Sequence, residues 1–210
     1  MARGTSVALN LYGVTFSDGH GYHGEAPAGT SLVVVRDLAA IVGESEYTML
    51  EPTAERVGQY TDVVSSYARR GPVLPAPVGV VFKQSESVQR WLELHYVALS
   101  DALSFVDNRV VGRVHVWRPG PADEREAGSD LAATAAESLR VIRRSAVTTV
   151  PLRLEKVTGI VLSAAFLVEQ DLWKEFSSEV EEQAKRAPNL RFELTGPWPP
   201  YDFVQMQLGT

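Results

Sequence analysis

The second half of the chain switches between two hydrophobic periods in an order that few folds accommodate. Val110, Gly112, Val114 and Val116 alternate with polar Arg113 and His115, which is the two-residue period of a strand. Leu131, Ala135, Leu139 and Ile142 then recur at helical spacing, with Arg140, Arg143 and Arg144 at the carboxyl end, where the helix dipole favours positive charge. Residues 147–154 and 157–168 read as two strands. Asp171 is placed to cap a helix marked by Leu172, Phe176, Val180 and Ala184, and Pro188 ends it. Leu190–Leu194 predicts a last strand. The resulting order, βαββαβ, is the split pattern of ferredoxin-like domains, in which two helices cover one face of an antiparallel sheet.

The first half reads as a mixed α/β domain. Val7–Phe16 alternates except where Gly13 breaks the register, predicting a strand with a bulge, and Ser31–Arg36 predicts a second, buried strand. Val57, Tyr60, Val64 and Tyr67 predict a helix over 52–70, started by Pro52 and stopped by Gly71-Pro72. Pro72, Pro75 and Pro77 stiffen an extended lead into a strand at 78–82. Val88, Trp91, Leu92, His95, Leu99, Leu103 and Val106 trace one face of a single long helix, with Ser85 available as its cap. A cut near Asn108 gives an α+β protein of two domains, 1–108 and 109–210. Residues 118–129, rich in proline, glycine and charge, read as a surface loop.

Composition narrows the partners. The 26 acidic residues outnumber the 20 basic ones, and a net charge of −6 repels a phosphate backbone, so no nucleic acid is expected. Without cysteine there is no disulfide and no thiolate metal site, as in a reducing cytoplasm. The longest apolar stretch, Gly159–Val168, has 10 residues, where a membrane-spanning helix needs about 20.

The chemistry-bearing residues do not converge on a reaction. Gly19-His20-Gly21-Tyr22-His23-Gly24 has dinucleotide spacing, but Pro27 and a strand follow where that fingerprint needs a helix. His20 and His23, with Asp18 or Glu25, have the spacing to share a metal, so an enzyme binding a metal or small molecule through Asp18–Glu25 is the alternative reading. His95 and His115 read as hydrogen-bonded or solvated residues. Ser163 reads as ordinary strand, and Glu179, Glu181 and Glu182 as a solvated helical face. No catalytic residue, cofactor or metal is therefore assigned.

The carboxyl-terminal run is of another kind. Pro197, Pro199 and Pro200 lack donors and fix φ, so this stretch cannot form a central strand. Trp198, Tyr201 and Phe203 add large apolar surfaces. Two roles fit: a rigid internal tack with Trp198 buried, which the flanking prolines favour, or a partner-binding surface.

Thr195–Val204 also resembles the carboxyl-terminal TGPWPPY-F signature of the GvpF/GvpL family of gas vesicle proteins. Leu11-Tyr12-Gly13, Val73-Leu74-Pro75 through Phe82, and Leu162-Ser163-Ala164-Ala165-Phe166-Leu167-Val168 are similar to three further family blocks in order and place. Pro75-Ala76-Pro77-Val78-Gly79 departs from the family's usual Pro-Leu-Arg-Phe-Gly. The resemblance implies two α+β domains, the second ferredoxin-like. It also implies a non-enzymatic role in gas vesicle assembly or structure within the cytoplasm. The implied partners are the small hydrophobic shell protein GvpA and other vesicle accessory proteins, with no lipid membrane involved.

Overall fold

A computed structural model describes residues 8–17, 27–48, 52–118, 128–153 and 158–204. The chain divides into two compact units, Met1–Asp107 with Val204–Thr210, and Asn108–Phe203. Both are mixed α+β, and every strand pair in them is antiparallel.

In the first unit β1 (Ala8–Phe16) pairs with β3 (Leu38–Ser45), and β3 with β2 (Thr30–Val35). The other edge of β1 is shared by two short strands, β4 (Val73–Pro75) and β5 (Val81–Phe82). The expected bulge falls between Leu11 and Gly13. A β-carbon on Gly13 would stand 2.7 Å from the Leu74 carbonyl oxygen, so the missing side chain is what lets β4 close in.

β3 was not among the expected strands, although it is the centre of this sheet. Leu38–Gly43 is buried throughout, which removes the alternation that marks a half-exposed strand. Leu38, Ala40 and Val42 join the core beneath α2 (Ser85–Leu94) and α3 (Tyr96–Val106), with Val88, Trp91, Leu92, Leu99, Leu103 and Val106. α1 (Ala54–Ala68) packs on β1 and β4, where the Tyr12 and Tyr60 rings stack at 6.2 Å and Tyr60 donates to the Ala76 carbonyl. α1 starts at Ala54, capped by Thr53, two residues after the start expected at Pro52. The single long helix expected over 85–106 is two helices, broken at His95 (φ −103°, ψ 11°), and Ser85 is the first helical residue, not a cap.

The second unit runs β6 (Arg109–Trp117), α4 (Gly128–Ile142), β7 (Thr148–Pro151), β8 (Ile160–Glu169), α5 (Trp173–Arg186) and β9 (Arg191–Trp198). Its sheet order is β7-β8-β6-β9. Val114, Val116, Ala164, Phe166 and Val168 face α4 and α5 through Ala135, Ile142, Phe176 and Val180. Gly112 sits under this layer, where an added β-carbon would lie 2.7 Å from the Phe176 ring. Asp171 falls in a short 3₁₀ turn, Gln170–Leu172, and does not cap α5, whose first turn makes no side-chain cap bond. β9 runs four residues past the expected Leu194, prolines notwithstanding, because it lies at the sheet edge and needs donors on one side only.

Candidate functional site

Alternation along β6 turns Val111, Arg113, His115 and Trp117 away from the helices, since Val114 and Val116 lie in the core on the helix side. The residues after β9 fold back onto this helix-free face. Two tight turns, Tyr201 N–H to Pro199 O (2.7 Å) and Phe203 N–H to Pro200 O (3.1 Å), reverse the chain. Phe203 then packs with Val111, Ala165 and Leu167, all three fully buried. Arg113 grips Asp202 with both arms of its guanidinium, Nε to Oδ2 at 2.9 Å and Nη2 to Oδ1 at 3.2 Å. Asp202 is mostly buried, and the paired geometry fixes it more firmly than a surface ion pair.

The proline and aromatic residues therefore divide into two groups. Pro200 is buried, and Pro199, Tyr201 and Phe203 are half-buried, forming the inner part of the strap. Pro197 and Trp198 are exposed. The expectation of a buried Trp198 is corrected: its side chain is 39% exposed, with Nε1–H donating to Thr195 Oγ1 at 3.1 Å. Prolines fix the path of the backbone but do not choose which side of an edge strand faces water. Gly196 precedes them with φ +127°, in a cis peptide bond to Pro197.

Burial pushes the Tyr201 hydroxyl up to about 12, against the pull of the Arg113 charge. A raised folded-state value means that the neutral phenol favours folding below about pH 10, and that this contribution is lost as pH rises through the folded value. The difference in melting temperature between the parent and Tyr201→Phe should be constant up to about pH 9, and the parent, which alone carries the ionisable group, should then fall relative to the variant towards pH 12. A gap independent of pH would show that Tyr201 is not desolvated in the fold.

His115 Nδ1 lies 2.9 Å from Ser163 Oγ, across the register pair His115–Ser163. Burial lowers the His115 pKa, Glu193 and Asp202 oppose this, and Arg113 adds to it. Ser163 is only 7% exposed, so the pair ties two strands together and leaves no approach for a substrate carbonyl. Glu179 accepts from Gln183 (2.7 Å) and Glu182 pairs with Lys185 (2.9 Å), both within α5, and Glu181 is exposed. His95 packs against the Trp91 ring at the joint between α2 and α3. Asp18, His20, His23 and Glu25 lie outside the described residues. Among the described residues no group of three or more His, Cys, Asp or Glu side chains is arranged to hold a metal, and no helix is long and apolar enough to cross a membrane.

The carboxyl-terminal run was visible in the sequence, but its anchor was not. Arg113 and Asp202 are 89 residues apart, and neither carries a local signature of the pairing.

Comparison with known proteins gives one answer throughout. The family described as gas vesicle synthesis protein GvpL/GvpF matches residues 8–128 and 122–205. Gas vesicle protein F2 of Halobacterium salinarum is 28% identical over 211 residues, covering 97% of this chain and 88% of the relative. Gas vesicle protein L of a Streptomyces species is 26% identical, covering 87% and 81%. Two crystal structures of the gas vesicle protein GvpF, from Anabaena and Microcystis aeruginosa, share the fold with TM-scores of 0.76 and 0.73, each covering 96% of this chain and 100% of the other at 17% identity.

Proposed function

Because the chain belongs to the GvpL/GvpF family of gas vesicle synthesis proteins, we propose that it is an assembly module that binds the hydrophobic shell protein GvpA and acts with other vesicle accessory proteins. It works in the cytoplasm at the growing vesicle and performs no catalysis. A role in the gas vesicle follows from the family itself. The observation that carries the finer reading is the strap: an anchored backbone that leaves one side of Trp198 open to solvent. A water-excluding shell is built from subunits whose apolar surface is an aggregation hazard until it is covered. An exposed aromatic on a preset path can cover such surface at little entropic cost.

In this reading residues 109–210 form a ferredoxin-like domain and residues 1–108 a separate α/β domain. The strand order β7-β8-β6-β9, with both helices against one face, supports the first assignment. Pro197, Trp198 and the half-buried Tyr201 and Phe203 give the segment its partner-binding role, and Pro199 and Pro200 its stiffness.

Trp198→Ala tests this directly. Trp198 is only 39% exposed, so truncation also removes some packing, and the variant should stay folded while losing about 1–2 kcal/mol of stability. Pull-down of GvpA should weaken by about 2 kcal/mol or more, roughly thirtyfold. A folded variant with parent-like GvpA capture would overturn the assignment of Trp198 as a contact.

A further inference from the structure

We propose that the outer edge of β2 is a pairing surface for a second copy of this chain, the two β2 strands joining antiparallel about a two-fold axis. The phase of β2 follows from its turn. Val35 pairs with Leu38 across Arg36-Asp37, and the closing pair of a two-residue hairpin exchanges both of its backbone bonds. Backbone groups alternate along a strand, so Ser31, Val33 and Val35 direct theirs at β3, while Thr30, Leu32 and Val34 point theirs outward. Thr30 shows the same phase, since its N–H bonds the Pro27 carbonyl at 3.0 Å. Among the described residues nothing pairs with the outward N–H and C=O groups of Leu32 and Val34.

The other edges of the two described sheets are blunted. β4 and β5 are three and two residues long, and β4 ends on Pro75. β7 has four residues and ends on Pro151, while β9 carries Pro197. Short strands and missing donors are how folded proteins prevent edge pairing. β2 has neither protection: its six residues, Thr30-Ser31-Leu32-Val33-Val34-Val35, include no proline and no charge. Val34 stands 48% exposed among them.

This edge is complementary to itself. With Val33 on the axis, Leu32 of one copy lies opposite Val34 of the other, and each such pair exchanges both of its backbone bonds. Every outward group of those two residues is then used, and Thr30, whose N–H is already taken, falls outside them. The side chains that meet, Leu32 with Val34 and Val33 with Val33, are apolar cross-strand pairs. Charge favours the copy over an acidic or basic peptide, because β2 carries no ionisable side chain to select one and none of the net charge of −6 lies on the paired strands. Strands this short bury less than the roughly 1,200 Å² of a standard interface, so the dimer is weak. The edge shares no residue with the carboxyl-terminal strap, so it stands or falls apart from GvpA binding there.

Sedimentation velocity of the full chain at about 1–500 µM should show monomer passing to dimer with a dissociation constant of about 10–100 µM. Raised salt should leave the dimer unchanged or strengthen it, because the pairing is uncharged and the two acidic copies repel. Val34→Pro removes an outward donor and leaves the bonds to β3 in place, so it should unfold cooperatively and weaken the dimer about tenfold or more. Val34→Lys keeps the backbone donor but sets a charge on the edge. It should weaken the dimer as well, and it decides the matter if the proline variant does not fold. A parent that stays monomeric throughout this range would overturn the proposal, as would a dimer that both variants leave intact or that high salt dissolves. So would a monomeric parent whose Leu32 and Val34 amides gain protection from hydrogen exchange only when GvpA is added, which would give the edge to the shell protein.

Discussion

Phe166→Ala is expected to lower the stability of the second unit by about 3–5 kcal/mol. Phe166 is fully buried on β8, its ring 5.4 Å from that of Phe176, which in turn lies 5.7 Å from Trp173. Truncation removes the apolar burial and leaves a hole that the neighbours cannot fill. β6 and β9 hold the sheet on one side, and Phe176 is already pressed against Gly112. Since a domain's whole margin is about 5–15 kcal/mol, the variant should stand near its unfolding threshold at growth temperature. Urea titration followed by tryptophan fluorescence measures the loss. Phe166→Leu, which keeps most of the volume, should lose under about 1.5 kcal/mol. Equal losses for the two variants would mean that ring packing is not what holds α5 to the sheet.

The second large effect is expected at Gly196. Its φ of +127° lies where residues with a side chain are strained, and an added β-carbon would stand 2.6 Å from the Val111 carbonyl oxygen. That oxygen belongs to β6, a central strand, and cannot retreat without disturbing pairs on both sides. Gly196→Ala should therefore cost about 2–4 kcal/mol, combining backbone strain with overpacking. The last residues of β9 should detach first, freeing Trp198 from its bond to Thr195 and quenching its fluorescence more readily. Gly29 provides the control: its φ is +80°, but nothing lies within 4 Å of an added β-carbon. Gly29→Ala should cost only about 1 kcal/mol, and a loss as large as that at Gly196 would remove the steric part of the argument.

These two sites show what could be read from the residues and what could not. The mixed α+β class and most second-unit elements were legible because β6, α4 and α5 are each half-exposed, and water on one side writes a period into the sequence. β3 was not legible, because Leu38–Gly43 is buried on both faces and has no period to read. The break at His95 leaves the apolar spacing of α2 and α3 intact, so two helices read as one. At the candidate site the unusual composition of residues 197–203 was evident, but not the outward turn of Trp198. That orientation depends on which edge of the sheet β9 occupies and on Arg113, far away in sequence, holding Asp202.

The place of the strap in the chain also bears on the order in which the protein can be made. A ribosome releases β6 before β9, although β9 is its neighbour in the sheet, and releases both before Pro199–Phe203. Until those last residues emerge, Val111, Ala165 and Leu167 have no Phe203 over them, and Arg113 has no Asp202. The first unit waits as well, because Val204 packs against the core built from residues 9–106. Contacts that close over such long separations form late in folding. A nascent chain therefore carries an open apolar sheet face from the release of β8 until Phe203 emerges, and Phe203 and Val204, neighbours in sequence, close over the two cores almost at once.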